Sequence, residues 1–235
     1  MFTGIIAVLT LLAFETPPVV VLDRIAVVVG KRPIKTSDID RDLRVTAFLN
    51  KEPLILNTDT WKKAADRLID QLVIRRVIAG GEYPRATDAE AADLLNQIRS
   101  SRFAGSDVRL AAELNRYGLS KTQLQEQLLW QLTVLRFIDE RFRPGIQVAD
   151  DDVRKYYDQH LAEFKRQYPQ DNSFASLEPR IRDLLEGEEI NKQFEAWLGE
   201  SRSRTFIEFH DEAMSPASQP PELKTPELKT KELRK

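Results

Sequence analysis

The densest group of chemically capable side chains in the sequence is a run of three carboxylates, Asp150, Asp151 and Asp152. Carboxylates hold a hard divalent cation when their oxygens converge on one point. Three consecutive residues opening a helix point in different directions, and the alternating oxygen ligands of a calcium loop are missing. The run suits instead the positive end of a helix, with Asp150 as the expected cap. The two histidines, His160 and His210, are too few for a histidine-rich metal site. His160 shares a predicted helix face with Tyr156, Tyr157 and Phe164 and is expected at the edge of a core with a hydrogen-bond partner. His210 stands at the end of a strand and carries no signal. The chain has no cysteine, which excludes disulfides, thiolate zinc sites and a cysteine nucleophile. No phosphate-binding loop, dinucleotide turn, nucleophile elbow or zinc-protease motif is present. The sequence therefore offers no catalytic, cofactor-binding or metal-ligating residues, and no small-molecule substrate is expected.

Composition narrows the remaining classes. The 35 basic and 37 acidic residues give a formal charge of -2, without the clustered positive field that nucleic acid requires. With 42% hydrophobic and 31% charged residues over 235 positions, the chain is long enough for a core without staples. Ile5 to Phe14 is an apolar run of ten residues, suited to the core of a signal peptide and too short to span a bilayer. No Lys or Arg precedes it, and no clear small-x-small cleavage site follows.

The elements that would position any site are mostly helices. The β-branched run Val19 to Val29 predicts a strand centred on Arg24 to Val29, followed by a turn at Gly30–Pro33 and a short return strand at Ile34. Thr36 or Ser37 is the expected cap of a first helix, and Asn57 to Thr60 opens a second that ends at Gly80-Gly81. Thr87 with Glu90 and Ser120 with Gln123 read as capping boxes, and Ser106 starts a short helix stopped by Gly118. The helix after Ser120 carries Leu124, Leu128, Leu132, Leu135 and Ile138 on its main stripe, with Trp130 and Phe137 off it. Two apolar faces make this helix either central in a bundle or the bearer of an exposed patch, and such a patch marks a binding surface. A helix from Asp150 carries Val153 to Phe164. Ser176 is expected to cap a long helix through about Ser201, with Pro179 in its first turn, before a strand at Thr205 to Phe209. The PELKT segment recurs at Pro221–Thr225 and Pro226–Thr230 in a tail too poor in apolar residues to fold.

Four stretches, in order, resemble the SurA and PpiD type of exported folding chaperones. They are Leu22 to Ile39, Leu114 to Ser120 (LNRYGLS), Val148 to Phe164 (VADDDVRKYYDQHLAEF) and Phe174 to Ile207. The resemblance covers about Leu22 to Phe209. It implies a mainly α fold, a SurA-like helical chaperone module with a small β-sheet formed by N- and C-terminal strands. It also implies an exported, periplasmic location and unfolded polypeptide partners, often outer-membrane proteins. In that family a parvulin prolyl-isomerase domain separates the Tyr-Tyr helix from the terminal helix. Here only Lys165 to Asn172 fills the interval, eight residues without histidine. Isomerase activity is therefore not expected.

The expected organisation is a signal peptide or apolar segment at 1–18, a helical chaperone domain at 19–214 and a disordered tail at 215–235. The expected function is an ATP-independent holdase, with Phe48, Trp130, Phe137, Tyr156 and Tyr157 as candidate client contacts. The alternative is a non-catalytic scaffold for one fixed protein partner.

Overall fold

In the computed structural model, which describes residues 23–214, the valine-rich run becomes strand β1 (Ile25–Val29). It turns at Gly30 into β2 (Arg32–Lys35), antiparallel with Val27 opposite Ile34 and Val29 opposite Arg32. The third strand comes from the far end of the chain. β3 (Ile207–Phe209) lies antiparallel on the other side of β1, giving the order β2-β1-β3. The expected pairing of the two ends is thus present. Trp61 Nε1 donates to the Ala213 carbonyl at 3.2 Å, which fastens the segment after β3 to the second helix.

The described residues form seven α-helices around this sheet: α1 (Thr36–Asn50), α2 (Thr58–Gly80), α3 (Asp88–Phe103), α4 (Asp107–Arg116), α5 (Lys121–Phe142), α6 (Asp150–Gln167) and α7 (Phe174–Ser203). The capping boxes at Thr87 and Ser120 open α3 and α5 as the sequence predicts, and Asn57 and Ser106 cap α2 and α4. Gly118 ends α4 with φ of 65°, a left-handed conformation that strains residues with a Cβ. The Leu119 N–H then returns to the Leu114 carbonyl at 2.9 Å.

Three caps differ from expectation. α6 is capped from Ala149, so Asp150 is its first helical residue and favours the helix through the dipole, not as a cap. α7 is capped by Ser173, whose hydroxyl accepts from the Ser176 N–H at 3.4 Å. That earlier start places Pro179 in the second turn, where it removes a main-chain bond to Ala175. The first turn of α1 is capped from outside the helix. Asp23 accepts from the Ser37 N–H at 3.0 Å, the Ser37 hydroxyl at 2.7 Å and the Thr36 hydroxyl at 3.1 Å. A local reading of Thr36-Ser37 assigns the cap to those residues because their hydroxyls are the near candidates, yet both donate to a carboxylate two strands earlier.

These bonds, led by the Ser37 hydroxyl, hold the Asp23 carboxyl below its ordinary value. A carboxylate with a depressed folded-state pKa contributes stability above its unfolded pKa and loses it as pH falls through the folded value. Asp23→Asn is expected to lower the melting temperature at neutral pH. The difference from wild type should begin to shrink at about pH 4, where an ordinary carboxylate takes up its proton, and go on shrinking below that through the depressed folded value. Melting curves across that range check this; a deficit that stays constant with pH would contradict it.

The interior formed by the described residues divides into four apolar clusters. One joins the sheet to the start of α1 and to α2, around Val27, Ile39 and Ile69. A second joins the end of α1 to α3, α4 and the start of α5, around Phe48, Leu110 and Leu124. The third joins the end of α2 to the end of α5 and to α7, around Phe137, Phe142 and Ile190. The last ties α6 to the first half of α7 through Val153, Leu177 and Ile181. α5 is therefore central: Leu124 and Leu128 face one cluster, Trp130 and Phe137 another. The expected signal segment and tail, at 1–18 and 215–235, lie outside the described residues.

Candidate functional site

The central position of α5 leaves part of its surface uncovered where α1, α2 and α7 approach it. There the four helices enclose an open groove of about 560 Å³. Its apolar wall is made by Leu49 of α1, Ile74 of α2, Trp130, Val134 and Leu135 of α5, and Phe194 and Leu198 of α7. Leu135 is 62% exposed, although the helical repeat assigns it to the same stripe as Leu124 and Leu128. The reason lies in packing. α5 changes partners along its length, so the buried face moves from the Leu124 stripe to the Trp130 and Phe137 stripe, leaving Leu135 on neither.

Polar pairs brace the groove. Arg67 of α2 reaches Asp42 of α1, donating through Nε at 2.9 Å, and the Asp42 side chain is only 6% exposed. Burial pushes the Asp42 carboxyl up, against the pull of the Arg67 charge. Arg202 of α7 donates to Asp70 of α2 at 3.0 Å and also binds Asp66. Burial raises the Asp70 carboxyl despite that partner. These ion pairs lock α1 and α7 onto α2 at the groove's edges. An apolar wall with paired charges at its rim suits weak apolar contacts.

The candidate contacts divide among different places. Phe48 and Phe137 have no solvent exposure. Phe48 packs between Phe103 and Tyr117, and Phe137 between Tyr83, Phe142 and Trp197. Both are core residues and correct the expectation that they meet a client directly: Phe48 lies on the buried stripe of α1, and Phe137, off the main stripe of α5, is covered on that side by α2 and α7. Trp130 is 8% exposed; it forms part of the groove wall and carries the Arg75 guanidinium on its ring face.

Tyr156 and Tyr157 lie away from the groove, half-buried on the α6–α7 hairpin. Tyr157 donates to the Asn172 carbonyl at 2.8 Å and packs against Phe164 and Phe174. Tyr156 stacks on His160, whose Nδ1 donates to the Tyr156 carbonyl at 2.8 Å. The tyrosine pair thus builds the hairpin. Leu49, Val134, Phe194 and Leu198 are groove residues that periodicity does not separate from core; the nearest signal is the all-round apolar character of α5.

Among the described residues no group of three or more His, Asp or Glu side chains is gathered as a metal site would require, and Asp150 is instead ion-paired to Arg182 at 2.7 Å. No helix among the described residues is long and apolar enough to cross a membrane. No protein-family model and no curated protein sequence matches the chain.

Proposed function

We propose that the chain is an ATP-independent, holdase-type chaperone that binds unfolded exported polypeptides, acting in the periplasm or an equivalent compartment. The observation that carries this reading is the open apolar groove between α1, α2, α5 and α7, with Leu135 presented to solvent. An open groove shields an apolar segment through many weak contacts and releases it without an energy source, because little surface is fully buried in the complex. Two further features support the reading. The N- and C-terminal strands meet in one sheet, as the SurA-type resemblance implies. Helices α6 and α7 join through a short connection, Tyr168 to Ser173, at the place where the resemblance would put an isomerase domain.

The fixed-partner reading draws on a separate patch, where Phe206 is 63%, Phe209 46% and Ile25 45% exposed around the edge strand β3. An exposed edge flanked by aromatic residues suits pairing with another chain.

The test is light scattering of a denatured outer-membrane β-barrel protein diluted into buffer with and without the full chain. Suppression of aggregation at near-stoichiometric ratios, without nucleotide, is expected. A folded chain that leaves the scattering unchanged sinks the holdase reading and favours the fixed partner.

A further inference from the structure

Trp130 lines two cavities. Besides the apolar groove, it walls a cavity of about 490 Å³ that also meets Ile78 and Leu129. The charged lining of this second cavity is mainly basic: Arg32 from β2, Arg75 from α2 and Arg85 from the α2–α3 connection, against the single carboxylate of Glu126. None of the three arginines has a carboxylate within 4.0 Å among the described residues. By contrast, Arg67 is held by Asp42, and Arg202 by Asp66 and Asp70.

Arg75 and the backbone of Arg85 are also positioned. The Arg75 guanidinium carbon lies 3.7 Å from the centroid of the Trp130 ring. The Arg85 carbonyl accepts from Arg136 Nη1 at 2.7 Å, and the next N–H, of Ala86, donates to the Thr133 hydroxyl at 3.3 Å. Thr133 in turn donates to the Leu129 carbonyl at 2.8 Å. The Arg85 backbone is thus pinned to α5. All three side chains are open to solvent at the cavity mouth, and partial desolvation, then the charge of Arg32, push the Arg75 guanidinium below its ordinary value.

The two cavities belong to one trough. A third opening shares Arg75 and Glu126 with the basic cavity and Gln71 and Gln127 with the apolar groove. A chain lying in the trough passes from the apolar wall, by Asp42, Asp38 and Arg41 of the third opening, to the guanidinium groups.

We propose that the basic cavity is a carboxylate subsite of the trough, taking the Glu or Asp side chain of a client segment whose neighbouring apolar residues lie against Leu135 and Phe194. The assignment rests on the groove being a polypeptide site. A side chain fits better than a chain end, because the third opening lets the segment continue past the arginines. The protein's own tail is a poor occupant: after Pro221 it carries Lys224, Lys229, Lys231, Arg234 and Lys235 against Glu222, Glu227 and Glu232. Guanidinium groups bind carboxylates through paired, charge-assisted hydrogen bonds, which supplies selectivity that apolar contact lacks.

The test is fluorescence anisotropy with the full chain and three labelled apolar peptides. One has a central Glu and an amidated end, the second a central Gln and an amidated end, the third a central Gln and a free C-terminal carboxylate. The Glu peptide is expected to bind about tenfold more tightly than the amidated Gln peptide, the order given by one hydrogen-bonded charge contact. Arg85→Gln and, separately, Arg32→Gln should each shrink that advantage while leaving the affinity for the Gln peptide unchanged. Equal binding of the Glu and Gln peptides overturns the subsite and leaves the groove reading intact. An advantage confined to the free carboxyl end assigns the cavity to chain termini and overturns the side-chain proposal. Failure of all three peptides to bind overturns both.

Discussion

Replacing Phe137 with alanine is expected to destabilise the protein by about 3–5 kcal/mol, the usual cost of emptying a buried phenylalanine site. The ring has no solvent exposure and sits where α2, α5 and α7 meet, with ring centroids of Tyr83 at 4.8 Å, Trp197 at 5.4 Å and Phe142 at 6.2 Å. The three aromatic side chains left around the space cannot collapse into it without leaving their rotamers, so the cavity persists. Urea denaturation followed by circular dichroism measures the change. A loss below about 1 kcal/mol, as for a surface substitution, would show that this cluster is loosely packed and that Phe137 is free to act elsewhere.

Leu135→Glu is expected to do the reverse, weakening function while sparing the fold. Leu135 is 62% exposed on the groove wall, so the substitution should change stability by no more than about 0.5 kcal/mol. A carboxylate placed against a bound apolar segment must lose water without gaining a partner, which is costly. Suppression of client aggregation should then require at least about tenfold more protein, the factor corresponding to 1.4 kcal/mol. Light scattering and a melting curve on the same sample check both halves. Full suppression by Leu135→Glu would remove the groove from the account. A large fall in melting temperature would mean that Leu135 belongs to the core.

The contrast between these two residues shows how far the sequence carries. Local signals were sound: Thr87 with Glu90 and Ser120 with Gln123 open helices as their spacing requires, because a capping box is closed by residues three apart. The cap of α1 was not legible. Asp23 supplies it from 14 positions upstream of Ser37, and no local pattern encodes that reach. The meeting of β1 with β3 rested on resemblance, since periodicity says nothing about which strands pair.

The groove was legible only in part. Helix α5 reads as apolar on two sides, which raises the alternatives of a central helix or an exposed patch. Both are realised, with the roles of particular residues exchanged. Phe137, off the main stripe, is buried under α2 and α7, and Leu135, on the stripe, is open. Heptad position fixes direction from the helix axis, but burial depends on which neighbours lie in that direction. The tyrosine pair Tyr156-Tyr157 serves the α6–α7 hairpin for the same reason: its partners, Phe164 and Phe174, are near in sequence and claim it first.

The most direct measurement of the central claim is site-specific photo-crosslinking to an unfolded outer-membrane client. A benzophenone side chain is placed at Leu135, on the groove wall, or at Val108, which is 80% exposed on α4 and does not border the groove. The account predicts a client adduct from position 135, competed by unlabelled unfolded client, and little or none from position 108. Equal adducts at both positions, or an adduct at 108 alone, would contradict it.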